Sequence, residues 1–171
     1  VRDANRRFNL TRIDDPGEML RLHVADSLAF LPHVSDLQGP IIDLGSGAGY
    51  PGIPLAVVLR AHTILCESTR KKAEFLESVL ADLDLDAEVV TERAEVLALR
   101  RPRCAGTVVA RAVSSLAALL ELASPLLRTG GLLVALKGAP PEDEVLRASR
   151  IAPLCGMVSV RAEGYQLPGG E

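Results

Sequence analysis

Charged side chains stand at or next to the ends of four apolar segments of this chain. The four apolar segments lie at residues 41–44, 62–67, 107–111 and 132–137. The charged side chains are, in the same order, Asp43, Glu67, Arg111 and Lys137. Strands buried on both faces of a parallel sheet are unbroken apolar runs, and open α/β sheets bind ligands at the carboxyl ends of their strands. We therefore expect these four side chains to emerge at one edge of a sheet, around a ligand.

A glycine-rich loop follows the first apolar segment. It contains Gly45, Gly47 and Gly49, and Pro51 then leads into another apolar run. This order predicts a buried strand, a tight loop and a helix. Because glycine has no side chain and tolerates positive φ, a ligand can lie against bare backbone at the N-terminus of that helix.

The spacing of the loop residues fits two classes of nucleoside ligand. Residues 47–52 match the dinucleotide pattern G-x-G-x-x-G, but there the first glycine follows the strand directly. The frame Asp-x-Gly-x-Gly-x-Gly, which starts at Asp43, suits S-adenosylmethionine better. The ammonium group of S-adenosylmethionine can be met by a carboxylate, and this ligand has no pyrophosphate that the loop would have to hold. Glu67 is placed to accept hydrogen bonds from both of its ribose hydroxyls. A nicotinamide enzyme or a non-catalytic adenosine-binding domain is the alternative.

Strands and helices continue to alternate after the loop. Thr69 is the predicted cap of a helix that runs to about Leu83, and residues 87–91 form a third strand. That strand ends at residues 92–95, where a contact to the adenine would fall in a doubly wound sheet. The sequence therefore adds this stretch to the ligand site.

The later elements complete the prediction of the fold. A helix is expected from Ser115 through Leu127, ended by glycines 130–131, and residues 157–160 form a weaker strand with no recognisable partner. The whole pattern predicts an α/β fold with a doubly wound, mostly parallel sheet. We expect a partial N-terminal helical segment over residues 1–38 and a ligand-binding domain over 39–171 that lacks its final strand.

The N-terminal segment has a turn at residues 14–17 and then a helical pattern that is predicted to end before Pro32. His23, Asp26 and Ser27 interrupt its apolar positions. Their spacing of three and four places them near one face of the helix. We interpret that face as capped or exposed to solvent.

The composition narrows the class of protein. The chain has 171 residues, 48% of them hydrophobic, which is enough for one buried core, and no apolar stretch is long enough to span a membrane or serve as a signal peptide. Three cysteines without metal-ligand spacing predict reduced thiols in the cytoplasm and no metal. A net charge of -3 argues against a general nucleic-acid binder. Three basic clusters lie within residues 2–12, 70–72 and 100–103. We interpret them as solvated unless two of them share the face of the ligand site.

The chain resembles one family along nearly its whole length. The motifs that carry the resemblance are Asn9-Leu10-Thr11, His23 with Asp26-Ser27-Leu28, residues 43–55, Glu67 with residues 70–72, residues 93–95, residues 111–113 and residues 136–138. Together they resemble the glucose-inhibited division protein B family, bacterial methyltransferases that modify a guanine N7 in small-subunit ribosomal RNA. The most specific motif is Asp-Leu-Gly-Ser-Gly-Ala-Gly-Tyr-Pro-Gly-Ile-Pro.

The resemblance implies a Rossmann-like class I fold with S-adenosylmethionine as cofactor. It carries cofactor contacts over to Gly45, Tyr50, Ala94, Glu95 and Arg111. It also implies 16S ribosomal RNA as the partner, either free or within the small subunit, and we expect a monomer that does not bind membranes.

Methylation of guanine N7 needs few chemical groups. Its lone pair attacks the sulfonium methyl without losing a proton, so alignment and exclusion of water are sufficient and no general base is required. Lys137 and Arg111 are the expected cations for phosphate or guanine O6, and Asp26 is the expected acceptor for guanine N1 and N2. Tyr50 and Phe8 are the candidates for stacking on the base.

Overall fold

Five parallel strands form the sheet that positions the site. The computed structural model describes residues 5, 10–13, 15–34, 39–111, 113–138 and 142–167. The strands are β1 (Ile41–Leu44), β2 (Thr63–Cys66), β3 (Ala87–Val90), β4 (Ala105–Arg111) and β5 (Leu127–Leu136), in the order β3-β2-β1-β4-β5. The order reverses direction at β1, which confirms the predicted doubly wound α/β fold.

Helices alternate with these strands. The N-terminal helical run consists of α1 (Pro16–Met19), a π-helical segment (Leu20–Ala25), α2 (Asp26–Leu28) and α3 (Leu31–Val34). The later helices are α4 (Gly52–Leu59), α5 (Arg70–Ala81), α6 (Ala94–Arg100), α7 (Leu116–Ala123) and α8 (Glu142–Ile151), followed by a 3-10 turn (Ala152–Cys155). None of the helices in these described ranges is long and apolar enough to cross a membrane.

The strand register brings the carboxyl ends together. Leu44 pairs with Cys66 on one side and with Ala110 on the other. The residues that follow these positions are Gly45, Glu67 and Arg111, so all three emerge at the same edge. The convergence that was predicted from the apolar runs is therefore a property of the sheet.

The sheet is covered on both faces, which explains why its strands are apolar throughout. Val108 of β4 packs in a cluster with Leu97 of α6 and Leu119 of α7. The next residue, Val109, points to the other face and packs in a cluster with Phe30. Phe30 is fully buried, so the N-terminal helical run is part of the core rather than an appendage.

The helix predicted over residues 115–127 is shorter in the structure. It ends at Ala123, because Leu126 and Leu127 are drawn into the sheet: the Ala105 N–H donates to the Leu126 carbonyl at 2.9 Å, and Leu127 pairs with Ala105. Glycines 130–131 therefore lie within β5 and do not end a helix. Both leucines are buried, and an apolar pattern alone does not distinguish a buried helix end from a buried strand start.

Two further predictions about secondary structure were wrong. Residues 157–160 have no strand pairing in the described part of the chain. The N-terminal helix does not simply end before Pro32; it is interrupted at Ala29 and Phe30 and resumes as α3, with Pro32 in the first turn. Proline fits there because an N–H in the first turn has no partner within the helix.

Candidate cofactor and nucleobase site

The glycine loop packs tightly on its inner side and is open on its outer side. A Cβ at Gly49 would lie 2.4 Å from Ile53 Cδ1, and one at Gly52 would lie 2.4 Å from Leu65 Cδ2. At Gly47, which has a φ of +55°, the nearest atom to an added Cβ is the Gly45 carbonyl oxygen at 3.7 Å. The loop therefore presents bare backbone outward at Gly47, as a ligand cradle requires.

Asp43 is fully buried beneath this loop. Its Oδ2 accepts a hydrogen bond from the Gly52 N–H at 2.9 Å, whereas its Oδ1 has no partner among the described residues. Burial raises the pKa of Asp43 to about 7, and the Gly52 N–H, Ser46 and Arg111 act in the opposite direction. An orphaned carboxylate oxygen in a buried position is an acceptor for a ligand donor.

Glu67 fastens the loop to the end of β2. Its side chain is nearly buried, its Oε2 accepts from the Gly47 N–H at 3.0 Å, and its Oε1 accepts from the Thr69 N–H at 2.7 Å. Each carboxylate oxygen has further lone-pair capacity. Glu67 therefore holds the loop in place, and each of its carboxylate oxygens can still accept a further hydrogen bond.

Ala94 and Glu95 begin α6 directly after the carboxyl end of β3. The pKa of the buried Cys66 thiol shows the effect of nearby carboxylates. It is raised to about 11, first by burial and then by the charges of Asp43, Glu67 and Glu95. The charges of all three carboxylates therefore act on the Cys66 thiol at the end of β2.

Arg111 is held by the N-terminal helical run. Its Nη1 donates to the Leu22 carbonyl at 2.8 Å and to Asp26 Oδ2 at 2.9 Å, and its Nη2 lies 3.2 Å from His23 Nδ1. The Arg111 Cζ also lies 5.5 Å from the centre of the Tyr50 ring. This cation–π contact joins the end of β4 to the glycine loop.

The imidazole of His23 completes the cluster. It stacks on the Tyr50 ring with centroids 4.8 Å apart, and its Nε2 lies 2.8 Å from Thr11 Oγ1. The face was interpreted as capped or exposed to solvent; His23 and Ser27 are both buried, so exposure was wrong for them. Their polar atoms are satisfied by hydrogen bonds, which an isolated helical pattern does not reveal.

Asp26 faces the same cluster and is largely buried, with its side chain 14% exposed. Besides its ion pair with Arg111, it accepts a hydrogen bond from the hydroxyl of Tyr165. Sequence reasoning did not find Tyr165, because nothing in its neighbourhood predicts a return to the N-terminal segment. Thr11 was noted only within a motif, and its bond to His23 needed the fold.

Lys137 follows β5 at the same edge as Arg111. Its Nζ donates to the Ser114 carbonyl at 3.0 Å and is ion-paired with Glu144 of α8. The Glu144 carboxylate in turn accepts from the Leu116 N–H at 2.8 Å. Lys137 therefore links the start of α7 to α8.

Phe8, the second candidate for stacking on the base, lies outside the described residues.

Two of the three basic clusters lie at opposite edges of the sheet, and the basic residues of the first, except for Arg12, lie outside the described residues. Residues 70–72 start α5 directly beyond Glu67, at the edge of the site. Residues 100–103 precede β4, and Arg100 and Arg101 there are paired with Glu92 and Glu88. Only one described cluster therefore shares the face of the site. No group of metal-binding side chains was found in the part of the chain that the structure describes.

Comparison with known proteins agrees with this geometry. The family model GidB, described as rRNA small subunit methyltransferase G, matches residues 1–166. The ribosomal RNA small subunit methyltransferase G of Roseiflexus castenholzii is 45% identical over 177 residues, covering 100% of this chain and 75% of that protein.

Two solved structures share the fold. A SAM-dependent O-methyltransferase from Thermotoga maritima has a TM-score of 0.59 at 18% identity, over 89% of this chain and 54% of that one. TYW2 from M. jannaschii, in complex with AdoMet, has a TM-score of 0.62 at 18% identity, over 77% of this chain and 61% of that one. At this identity the likeness concerns the fold, and the chain spans little more than half the length of these proteins.

Proposed function

Because the chain belongs to the rRNA small subunit methyltransferase G family, we propose that it methylates N7 of a guanine in 16S ribosomal RNA. Family membership makes the chain an S-adenosylmethionine-dependent methyltransferase of small-subunit ribosomal RNA. The choice of guanine N7 and the roles of individual residues belong to the proposal. A nicotinamide enzyme, the alternative drawn from the loop spacing, is not favoured by these relatives.

The observation that carries the cofactor site is the orphaned Oδ1 of Asp43 beside an open glycine loop. The ammonium group of S-adenosylmethionine supplies the donor that this oxygen lacks. Glu67 is assigned to the ribose hydroxyls, where its remaining lone pairs serve as acceptors.

The other proposed cofactor contacts are Gly45, Gly47, Gly49 and Tyr50 from the loop, Ala94 and Glu95 from the start of α6, and Arg111 from the end of β4. When bound, the cofactor supplies an electrophilic methyl group on a sulfonium. The chain itself has to align the guanine N7 with that methyl and exclude water.

We assign the guanine to the neighbourhood of Asp26, on the N-terminal helical run. Asp26 accepts from the guanine N1 and N2 donors, and Tyr165, which now donates to Asp26, occupies the place of such a donor. N7 attacks through its lone pair, a bond from N7 to carbon forms as the bond from carbon to sulfur breaks, and no proton is released. Lys137 is assigned to a phosphate or to guanine O6, which requires exchange of its present partners.

The proposal also covers the organisation of the chain. Residues 1–38 supply Asp26 to the nucleobase, and residues 39–171 bind the cofactor, with Arg111 as the bridge between them. We expect a monomer that acts on ribosomal RNA in the cytoplasm, either free or in the assembled subunit.

Two measurements test the function. Calorimetry should show binding of S-adenosylmethionine and S-adenosylhomocysteine but not of NAD(H), and the reverse result would contradict the cofactor. Primer extension after borohydride and aniline treatment should show a break in 16S ribosomal RNA only when the active gene is present. The same pattern of breaks with and without the gene would contradict the guanine N7 target.

A further inference from the structure

We propose that His23, as a neutral imidazole, is a positioning residue that holds Arg111 and Tyr50 against each other at the rim of the cofactor loop. The inference rests on the proposed cofactor site and assigns to that site a residue from outside the sheet. His23 lies on the π-helical segment of the N-terminal run, and π segments within helices are frequent at functional sites.

The hydrogen bonds select one tautomer of the ring. Arg111 Nη2 lies 3.2 Å from Nδ1 and has only donors, so a proton on Nδ1 would set two donors against each other. Nε2 faces Thr11 Oγ1 at 2.8 Å, and this hydroxyl oxygen can accept. The Nε2–H tautomer therefore satisfies both contacts: it donates to Thr11 and accepts from Arg111.

The Leu22 carbonyl is the competing partner of Nδ1, at 3.2 Å. That carbonyl already accepts from Arg111 Nη1 at 2.8 Å, which is the shorter contact and involves a charged donor. A proton on Nδ1 would favour the carbonyl but repel the guanidinium. The arrangement of Arg111 thus depends on an unprotonated Nδ1.

The second contact of His23 acts on the glycine loop. Its ring stacks on Tyr50 at 4.8 Å with an interplanar angle of 23°, while the Arg111 guanidinium lies over the same Tyr50 ring. Tyr50 is therefore in contact with both groups, and His23 links them through one hydrogen bond and one stacking contact. Removing the imidazole takes one of its three acceptors from Arg111 and the stacked ring from Tyr50.

Protonation of His23 would break this arrangement. The charged groups that face the ring are Arg111 from β4 and Asp26 from its own run, and Tyr50 and Tyr165 are the neighbouring phenols. Burial and the Arg111 charge lower the pKa of His23, and the Leu22 carbonyl and Asp26 oppose them. The ring therefore stays neutral at neutral pH, in the form that Arg111 needs.

The test separates the acceptor atom from the ring. His23→Phe keeps a ring for stacking on Tyr50 but removes Nδ1, whereas His23→Asn keeps an acceptor near the position of Nδ1 and removes the ring. We expect the Kd for S-adenosylhomocysteine, measured by calorimetry on the whole chain, to rise about tenfold in His23→Phe, the loss typical of a hydrogen bond to a charged group. His23→Asn should recover most of that loss, and the exposed control His33→Phe should match the wild type.

A double-mutant cycle shows whether His23 acts through Arg111. In an Arg111→Met background, His23→Phe should have almost no further effect on the Kd, because the contact it removes is already gone. Additive effects of the two substitutions, or equal losses in His23→Phe and His23→Asn, would overturn the proposal in favour of a packing role. Thermal unfolding of each variant shows whether a loss of binding reflects a loss of fold.

Nitrogen-15 NMR of the imidazoles gives a readout that needs neither cofactor nor ribosomal RNA. The chain has three histidines, and His23→Phe identifies the signal of His23. We expect the Nε2–H tautomer at pH 7 and a rise in the pH of titration when Arg111 is replaced by Met. An Nδ1–H tautomer, or a titration that does not respond to Arg111, would overturn the proposal. A wild type that binds S-adenosylhomocysteine but leaves ribosomal RNA unmethylated would instead contradict the proposed function.

Discussion

The buried carboxyl group of Asp43 should make the stability of this protein depend on pH in an unusual direction. Its pKa in the folded chain is about 7, against 3.8 for an aspartate in water. Between these pH values the folded chain holds a proton that the unfolded chain has released, so stability rises as pH falls. From pH 8 to pH 6 the folded group becomes about nine-tenths protonated, and the linkage relation gives a gain of roughly 1.4 kcal/mol.

Thermal unfolding followed by circular dichroism measures this effect. For a chain of this size, 1.4 kcal/mol corresponds to a rise in Tm of about 3–5 °C from pH 8 to pH 6. Asp43→Asn is the matched variant, since it keeps an oxygen to accept from the Gly52 N–H but cannot titrate. His23, whose pKa is lowered, destabilises the fold as pH falls below its unfolded value of 6.5, and this effect is common to both proteins.

The difference between the two proteins therefore isolates Asp43. We expect Asp43→Asn to be less stable, relative to the wild type, at pH 6 than at pH 8. The difference in unfolding free energy between variant and wild type should change by about 1.4 kcal/mol between the two pH values. Saturating S-adenosylhomocysteine should shrink this pH effect, because an ammonium group beside Oδ1 favours the ionised carboxylate. Parallel pH profiles for the wild type and the variant would refute the reasoning, since they would show that Asp43 ionises as it does in water.

Three further predictions concern the loop and Lys137. Gly52→Ala should lower stability by about 1–3 kcal/mol in denaturant unfolding, because its Cβ would lie 2.4 Å from Leu65 Cδ2, while the open control Gly164→Ala should not. Gly47→Val, which forces a β-branched residue to a φ of +55°, and Glu67→Lys, which removes the anchor of the Gly47 N–H, should each abolish binding of S-adenosylmethionine in calorimetry, and unchanged affinity in both would contradict the site. Lys137→Ala should lower turnover of ribosomal RNA at least tenfold with cofactor affinity nearly kept, and unaltered turnover would exclude its assigned role.

The sheet and its ligand edge could be predicted because parallel strands have a local signature. The run that ends at Arg111 is apolar on both faces, and the structure places β4 between β1 and β5 with helices on both sides. The start of β5 could not be predicted in the same way. Leu127 is apolar whether it ends a helix or begins a strand, and only its pairing with Ala105, 22 residues earlier in the chain, decides the matter.

The polar cluster at the N-terminal run was beyond sequence reasoning for a different reason. A polar residue on a helix usually faces water, because an unpaired polar group in the core is costly. His23 escapes this cost through partners that come from three other places in the chain: Thr11, Tyr50 and Arg111. Such compensation arises only from tertiary structure, so a helical pattern predicts the wrong environment at the positions where distant segments meet.

The proposed chemistry explains why the charged groups of this site bind each other. A general base needs a free lone pair near the substrate and a pKa near the working pH. Here Asp26 is paired with Arg111 and with Tyr165, and Arg111 donates to three acceptors at once. This mutual pairing fixes the positions of the side chains, which suits attack by guanine N7, because N7 has no proton to lose and depends on alignment. The interlocked side chains are thus suited to hold a base and a methyl donor in line.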